Sequence, residues 1–263
     1  MTPNPLIPVA LYSDGAVDAE QIHYWRTRLK LPQVAQRDDA AVCVEITPCI
    51  AHPGFELSLS STSTNLSLKS RLDFGQGRIG YRVAHAEQNH LLARAVGLSG
   101  TTRRRVLDMT GGLGRDAYIL ASLGCELTVI ERHPLIFALL ENALQRACTT
   151  PVGARIAAHL HLRLGDSIEY LKSLGDTINF DVIYLDPMYP ETSSTALVKK
   201  EMQLLRTLLP AEPNQTEKLL QAASASRVRR IVLKRPLHAP SLFTPVGTIK
   251  ARSTRYDLYT GKV

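Results

Sequence analysis

Residues 105–131 read RVLDMTGGLGRDAYILASLGCELTVIE, and this stretch decides the fold. RVLDM is a short apolar run, the length of a buried strand. It stops at Thr110-Gly111-Gly112-Leu113-Gly114, where glycines permit a tight turn and a close backbone approach to a ligand. Residues 115–123 carry a helical pattern that Gly124 ends. ELTVIE, residues 126–131, is a second strand. Strand, glycine turn, helix and strand in succession make the opening unit of a parallel sheet, with free backbone N–H groups at the start of the helix.

Toward the C-terminus the alternation continues. Pro134 opens a helix that runs to about residue 147, at a position suited to proline. HLHLRLGD (159–166) is a third strand and residues 167–174 a helix. FDVIYLDP (180–187) is a fourth strand. Residues 196–209 read as an amphipathic helix and 217–225 as another. RRIVLKRP (229–236) is a fifth strand, and VGTIKARSTRYDLYTG (246–261) reads as two strands around a turn. Five strand–helix alternations before a terminal hairpin predict an α/β fold, a doubly wound parallel sheet with an antiparallel addition at one edge. Ligands of such sheets bind at the carboxyl ends of the strands.

Toward the N-terminus the pattern is less regular. Residues 8–12 and 41–46 are short β-like runs, with a helix predicted over Ala19–Leu29 between them. ELSLSSTSTNLSLKS (56–70) alternates leucine with small polar residues, which predicts a half-buried strand or hairpin. FGQGRIGYR (74–82) reads as a glycine-punctuated loop through Gly75, Gly77 and Gly80, followed by a helix over 84–96 that ends at Gly97. The expected division is a smaller α+β segment over 1–95 and a domain of alternating strands and helices over 96–263.

The chain has 263 residues, 44% hydrophobic and 21% charged, which excludes wholesale disorder, collagen and coiled coil. Thirty-one Lys+Arg against 24 Asp+Glu give a net charge of +7. That bias permits a polyanionic partner without establishing one. Cys43, Cys49, Cys125 and Cys148 form no Cys-x-x-Cys pair and no His cluster has zinc spacing, so no metal site and no disulfide scaffold is expected. The N-terminus lacks the basic lead and apolar core of a signal peptide, and no run approaches a membrane span. A soluble, cytoplasmic protein is the expectation; oligomeric state is not legible.

The strand ends carry the chemistry. Gly112-x-Gly114-x-x-Ala117 fits the dinucleotide fingerprint in its alanine-ending form, a weak signal alone. Glu131, ending the second strand, is placed to accept from both hydroxyls of a ribose, either of a nicotinamide dinucleotide or of S-adenosylmethionine. It serves equally as a carboxylate at a helix N-terminus. Arg132 packs beside a nucleoside or stays solvated. Asp166 accepts from an adenine amine, caps the helix behind it, or both, with Ser167 the weaker candidate. DVIYLDPMYP (181–190) puts Asp186 at the mouth of the sheet, with Pro187 and Pro190 stiffening the backbone. Tyr189 is spaced to stack on a planar base. Such a loop resembles the Asp-Pro-Pro-Tyr motif of methyltransferases acting on exocyclic amines, with Met188 in place of the second proline. Asp186 and the Pro187 carbonyl would accept the amine's hydrogens, and Tyr189 would hold a flipped base. Basic residues cluster at 103–105, at Lys199 and Lys200, at 227–235 and at Lys250, Arg252 and Arg255, where several could line one rim and meet phosphates.

Taken together, VLDMTGGLGRDAYILASLGCELTVIERHP (106–134), VIYLDPMYP (182–190), STALVKKEM (194–202), VLKRP (232–236) and RYDLYTG (255–261) resemble the bacterial small-subunit ribosomal RNA guanine-N2 methyltransferase J family. GRIGYR (77–82) adds a weaker likeness. The resemblance implies a Rossmann-like class I methyltransferase fold and an S-adenosylmethionine-dependent enzyme that methylates the N2 amine of one guanosine in 16S ribosomal RNA, free or in the 30S particle. It also implies cofactor contacts at Arg115, Asp116, Glu131, Arg132, Asp166, Ser167 and Asp186. Two rivals stay open at this point: an NAD(P)-dependent oxidoreductase, which leaves the Asp-Pro-Met-Tyr loop unexplained, and a non-catalytic RNA-binding protein.

Overall fold

A computed structural model describes residues 7–49, 54–61, 68–75, 77–85, 91–187, 212 and 214–262. The chain packs as two compact units. One comprises residues 1–72, 138–149 and 191–211, and the other residues 73–137, 150–190 and 212–263.

The first unit holds a four-stranded sheet, β1 (Ile7–Ser13), β2 (Ala40–Pro48), β3 (Phe55–Ser61) and β4 (Leu68–Arg71), in that spatial order. β1 and β2 run parallel, joined through α1 (Ala19–Leu29), and the rest is antiparallel. Asp18 caps α1 by accepting from the Glu20 N–H at 3.1 Å, and Lys30 closes it in the left-handed region at φ 54°. The helix buries Trp25, which meets Phe55 edge-on at 5.9 Å. The 56–70 stretch is a hairpin, but β3 is not half-buried: Ser58 and Ser60 are covered along with Leu57 and Leu59. Part of the reason is Asn142, whose amide accepts from the Leu57 N–H at 2.9 Å and donates to the Phe55 carbonyl at 3.2 Å.

The second unit holds a seven-stranded sheet. Its strands are β5 (Arg105–Asp108), β6 (Glu126–Glu131), β7 (Leu160–Leu164), β8 (Val182–Leu185), β9 (Arg230–Pro236), β10 (Gly247–Lys250) and β11 (Thr254–Tyr259). The spatial order is β10-β11-β9-β8-β5-β6-β7; β5 to β9 are parallel and the last two strands antiparallel. From β5 the chain first winds outward to β6 and β7, then returns to β8 and β9 on the other side. The β5/β8 boundary is therefore the switch point of the sheet, the place where ligands of such sheets bind. All four residues of β8 are buried, as a central parallel strand covered on both faces requires. Leu107, Ile183, Leu185, Ile231 and Leu233 form one core cluster with Leu219 and Leu220.

The helices here are α2 (Gly77–Ala84), α3 (Leu91–Val96), α4 (Arg115–Ser122), α6 (Pro151–Ala157), α7 (Ser167–Leu174) and α8 (Gln215–Ala225); α5 (Pro134–Ala147) is divided between the two units. One expectation needs correction. The 74–82 segment is not all loop, because α2 starts at Gly77. A Cβ on Gly80 would lie 2.7 Å from the Gly75 carbonyl oxygen, so this glycine lets the helix pack on the preceding chain rather than break. The helix expected over 84–96 is described only as α3, with residues 86–90 outside the described set. No signal had marked α6, whose cap Thr150 accepts from the Gly153 N–H at 3.0 Å. The helix expected over 196–209 lies outside the described residues. Among those residues no helix is long and apolar enough to cross a membrane, and no metal-ligating cluster of three His, Cys, Asp or Glu gathers.

Candidate active site

The glycine turn after β5 is fixed from both sides. Asp108 Oδ1 accepts from the Thr110 N–H at 2.9 Å and from the Thr110 hydroxyl at 3.2 Å. Gly111 donates to the Ile130 carbonyl at 2.9 Å, and a Cβ there would sit 2.8 Å from Val129 Cγ1 and 2.9 Å from that carbonyl oxygen. The turn thus lies against β6 at a spacing only glycine allows. Gly112 and Gly114 take φ of 51° and 64°, and Gly114 caps α4. Glu131 ties the turn to the end of β6: one carboxylate oxygen accepts from the Gly112 N–H and the other from the His133 N–H, each at 2.7 Å. Burial pushes the Glu131 carboxyl up, with those backbone N–H groups pulling against it.

Asp186 stands at the end of β8, beside this turn. Its backbone N–H donates to the Thr110 hydroxyl at 2.7 Å, which links it through Thr110 to Asp108. Its Oδ2 accepts from Lys234 Nζ at 2.6 Å. The β8–β9 register explains this meeting, since Leu185 lies opposite Leu233 and the next residue on each strand is Asp186 and Lys234. Lys234 also donates to Asp116 Oδ2 at 2.7 Å, the same oxygen that accepts from the Tyr184 hydroxyl at 2.7 Å. Arg82 of α2 reaches Asp116 Oδ1 at 3.4 Å. One ammonium therefore bridges two carboxylates. Burial opposes ionisation of Asp116, but Lys234, Tyr184 and Arg82 outweigh it and hold its carboxyl at about 2. Asp186 goes the other way: burial raises its carboxyl and Asp116 adds to that, with Lys234 opposing both. Burial, helped by the nearby Asp186 and Asp116 charges, pushes the Asp108 carboxyl up to about 7 against its two bonds from Thr110.

The remaining candidates fall as follows. Arg115 and Asp116 open α4, and Asp116 is already engaged by the three groups above. Arg132 pairs with Glu212 at 2.7 Å. Asp166 caps α7, with Oδ1 accepting from the Ile168 and Glu169 N–H groups at 2.8 and 2.9 Å, and buried Ser167 is the first residue of that helix. Pro187 follows Asp186 and is buried; Tyr189, Met188, Lys199 and Lys200 lie outside the described residues.

The basic rim needs correction. Lys234 holds the two carboxylates, Arg235 is buried, and buried Arg255 binds Asp257 at 2.9 Å. Arg103, Arg105, Arg227 and Arg229 are exposed, but they stand where β5 and β9 begin. Parallel strands place that edge opposite the one carrying Asp186. Among the described residues of these clusters, Lys250 and Arg252, exposed at the β10–β11 turn, flank the carboxyl end of β9, where Thr254 pairs with Pro236. Sequence reasoning gives Thr110, Tyr184 and Asp108 no part in the site, and it places Lys234 in a basic cluster of which several members could meet phosphates. The one local sign was a lysine directly after the apolar run Ile231–Leu233 of β9.

Comparison with known proteins shows the family. The SAM-dependent methyltransferase family model matches residues 25–261. Ribosomal RNA small subunit methyltransferase J of Thioalkalivibrio sulfidiphilus is 44% identical over 78% of this chain and 82% of its own. The protein of that name from Pseudomonas aeruginosa strain LESB58 is 40% identical over 98% of this chain and 96% of its own. A crystallised SAM-dependent methyltransferase of Neisseria gonorrhoeae superposes with a TM-score of 0.70 at 28% identity over 95% of both chains. The oxidoreductase alternative is not favoured by any of these. The chain belongs to the ribosomal RNA small subunit methyltransferase J family of S-adenosylmethionine-dependent methyltransferases.

Proposed function

We propose that this protein transfers the methyl group of S-adenosylmethionine to the exocyclic N2 amine of one guanosine in small-subunit (16S) ribosomal RNA, in a cytoplasmic setting. The observation that carries this reading is Asp186: a carboxylate at the switch point of the sheet, with Oδ2 held by Lys234 and, among the described residues, no donor on Oδ1. The names of the relatives supply the substrate class.

The residues present fit the cofactor. The turn at 111–114 is a backbone cradle that a Cβ at Gly111 would fill, and it leads into the N-terminus of α4. Glu131 and Asp166 end adjacent strands, and both are oxygen acceptors suited to ribose hydroxyls and an adenine amine. Gly112, Gly114, Arg115, Asp116, Arg132, Ser167 and Asp186 complete the assignment. The cofactor supplies an activated methyl on a sulfonium. The chain's own part is positioning and charge. An exocyclic amine is a poor nucleophile because its lone pair is delocalised into the ring. Asp186 Oδ1 and the Pro187 carbonyl accept the two N–H hydrogens and favour the pyramidal form. Asp186 or water takes the proton late. Tyr189 stacks on the flipped guanine. Lys250 and Arg252 meet the flanking phosphates, and residues 1–95 form the further RNA-contacting segment beside a catalytic domain over 96–263.

The test is transfer of labelled methyl from S-adenosylmethionine to unmodified 30S particles and to free 16S rRNA, followed by mapping of the modified base. Asp186→Ala should cut single-turnover methylation at least about 100-fold while RNA binding stays within a few-fold. Wild-type turnover by that variant defeats the assignment, and binding of RNA with no methyl transfer by the parent returns the non-catalytic reading.

A further inference from the structure

We propose that Lys234 is the positioning residue for Asp186: its ammonium clamps the two carboxylates Asp186 and Asp116, so that Asp186 meets the substrate amine as a fixed, ionised acceptor. This rests on the reading of Asp186 as the acceptor of the amine hydrogens. The clamp is built from three elements. Lys234 comes from β9, Asp186 from the end of β8, and Asp116 from the first turn of α4. The two bonds of Nζ, 2.6 and 2.7 Å, are short and charge-assisted. Lys234 is 22% exposed and Asp116 7%, so solvent screens that pair little, while Asp186, 35% exposed, keeps an open side.

An ionised carboxylate is needed because a protonated one presents an O–H donor on one oxygen and cannot accept there. Two carboxylates sharing one site cannot both stay ionised without a cation between them. None of the other charged or titratable groups facing the pair takes the place of Lys234. Arg82 of α2 touches only Asp116, at 3.4 Å. Tyr184 of β8 donates to Asp116, and burial raises its hydroxyl well above the ordinary value. Tyr256 of β11, opposite Lys234 in register, is pushed up to about 12 by burial and stays neutral. Asp108 of β5 connects to the Asp186 backbone through Thr110 and adds no positive charge. Lys234 is the cation that, among the described residues, holds Asp186.

The experiment is steady-state methylation of unmodified 30S particles between pH 6 and 9 by the full-length protein and its variants. Lys234→Met should lose about 100-fold in kcat at pH 7 and regain much of it by pH 9, as Asp186 ionises without help. KM for the particle and the affinity for S-adenosylhomocysteine should stay within about threefold. The double variant Asp116→Asn/Lys234→Met removes one charge of each sign, so it keeps the buried balance even where the single variant fails to fold. Its acid limb should return toward that of the parent, because the like charge is gone. A Lys234→Met profile parallel to the parent's, or a double variant whose ratio of rates at pH 6 and pH 9, at saturating S-adenosylmethionine, is as low as the single variant's, overturns the clamp. Asp186→Asn separates the two readings. If it turns over at the parent's rate, the role of Asp186 falls and the clamp loses its purpose. If it is inactive while Lys234→Met keeps the parent's profile, the clamp alone falls.

Discussion

Replacing Asp108 with Asn should change the pH dependence of stability more than its level. Asp108 is 3% exposed, and burial pushes its carboxyl from the ordinary 3.8 up to about 7. Below pH 3.8 the group is neutral in folded and unfolded chains alike, so it costs nothing. Between 3.8 and 7 the unfolded chain ionises while the folded one holds the proton, and the folded state loses stability as pH rises. Above pH 7 the loss is complete. A rise from 3.8 to about 7 corresponds to roughly 4 kcal/mol. Asn keeps an acceptor for the Thr110 N–H and hydroxyl, now 2.9 and 3.2 Å away, and adds a buried NH₂ group. That group costs about 1–3 kcal/mol if unpaired, at every pH. The stability difference between variant and parent should therefore swing by roughly 4 kcal/mol in the variant's favour from pH 4 to pH 8, or about 10 °C in Tm. Thermal unfolding followed by circular dichroism, side by side across that range, reads it directly, because every other carboxylate is common to both proteins. A Tm difference that stays constant from pH 4 to pH 8 refutes the argument.

Other expectations follow from single contacts. Gly111→Ala forces a methyl into Val129 and the Ile130 carbonyl and should cost about 1–3 kcal/mol, with weaker binding of S-adenosylhomocysteine, whereas Gly112→Ala carries only the left-handed strain of about 1 kcal/mol. Paired melting curves and calorimetry check both, and a Gly111→Ala protein that matches the parent sinks the cradle. Glu131→Gln should weaken S-adenosylhomocysteine at least about tenfold, since the carboxylate ties the turn and, on the proposed assignment, offers the ribose its acceptors; calorimetry within twofold of the parent is the contrary result. Among the thiols, exposed Cys148 should react first with an aromatic disulfide at pH 8, while burial pushes Cys43 up to about 11 and Cys125 up to about 12. Native-state modification of Cys125 at the rate of Cys148 contradicts this.

The parallel sheet was legible because its signals are local. Pro134 and Ala147 bound α5 as read, and Ser167 and Leu174 bound α7, since each helix start carries its own chemistry: a proline in the first turn, an aspartate cap before a serine. The misreadings share a cause. Gly75, Gly77 and Gly80 look like turn residues, yet Gly80 is glycine because a Cβ there would stand 2.7 Å from a carbonyl that lies close only in the folded chain. The serines of β3 look solvent-facing by alternation, but both faces are covered. Burial is a property of what packs on a strand, and period-2 alternation does not report it.

The site divides along the same line. Glu131, Asp166 and Asp186 could be picked out because each ends a strand, a position visible in the chain itself. The clamp could not, because Lys234 stands 118 positions from Asp116 and 48 from Asp186, and only the strand order sets β9 beside β8. This alters the meaning of the +7 charge. Lys234, Arg235 and Arg255 are interior cations, and four of the exposed arginines stand at the amino edge of the sheet. Among the described residues of the basic clusters, Lys250 and Arg252 are the exposed cations at the edge that carries Asp186. On the proposed function, recognition at the target base draws on shape and on holding the guanine as well as on phosphate attraction, which is how single-stranded RNA is ordinarily read.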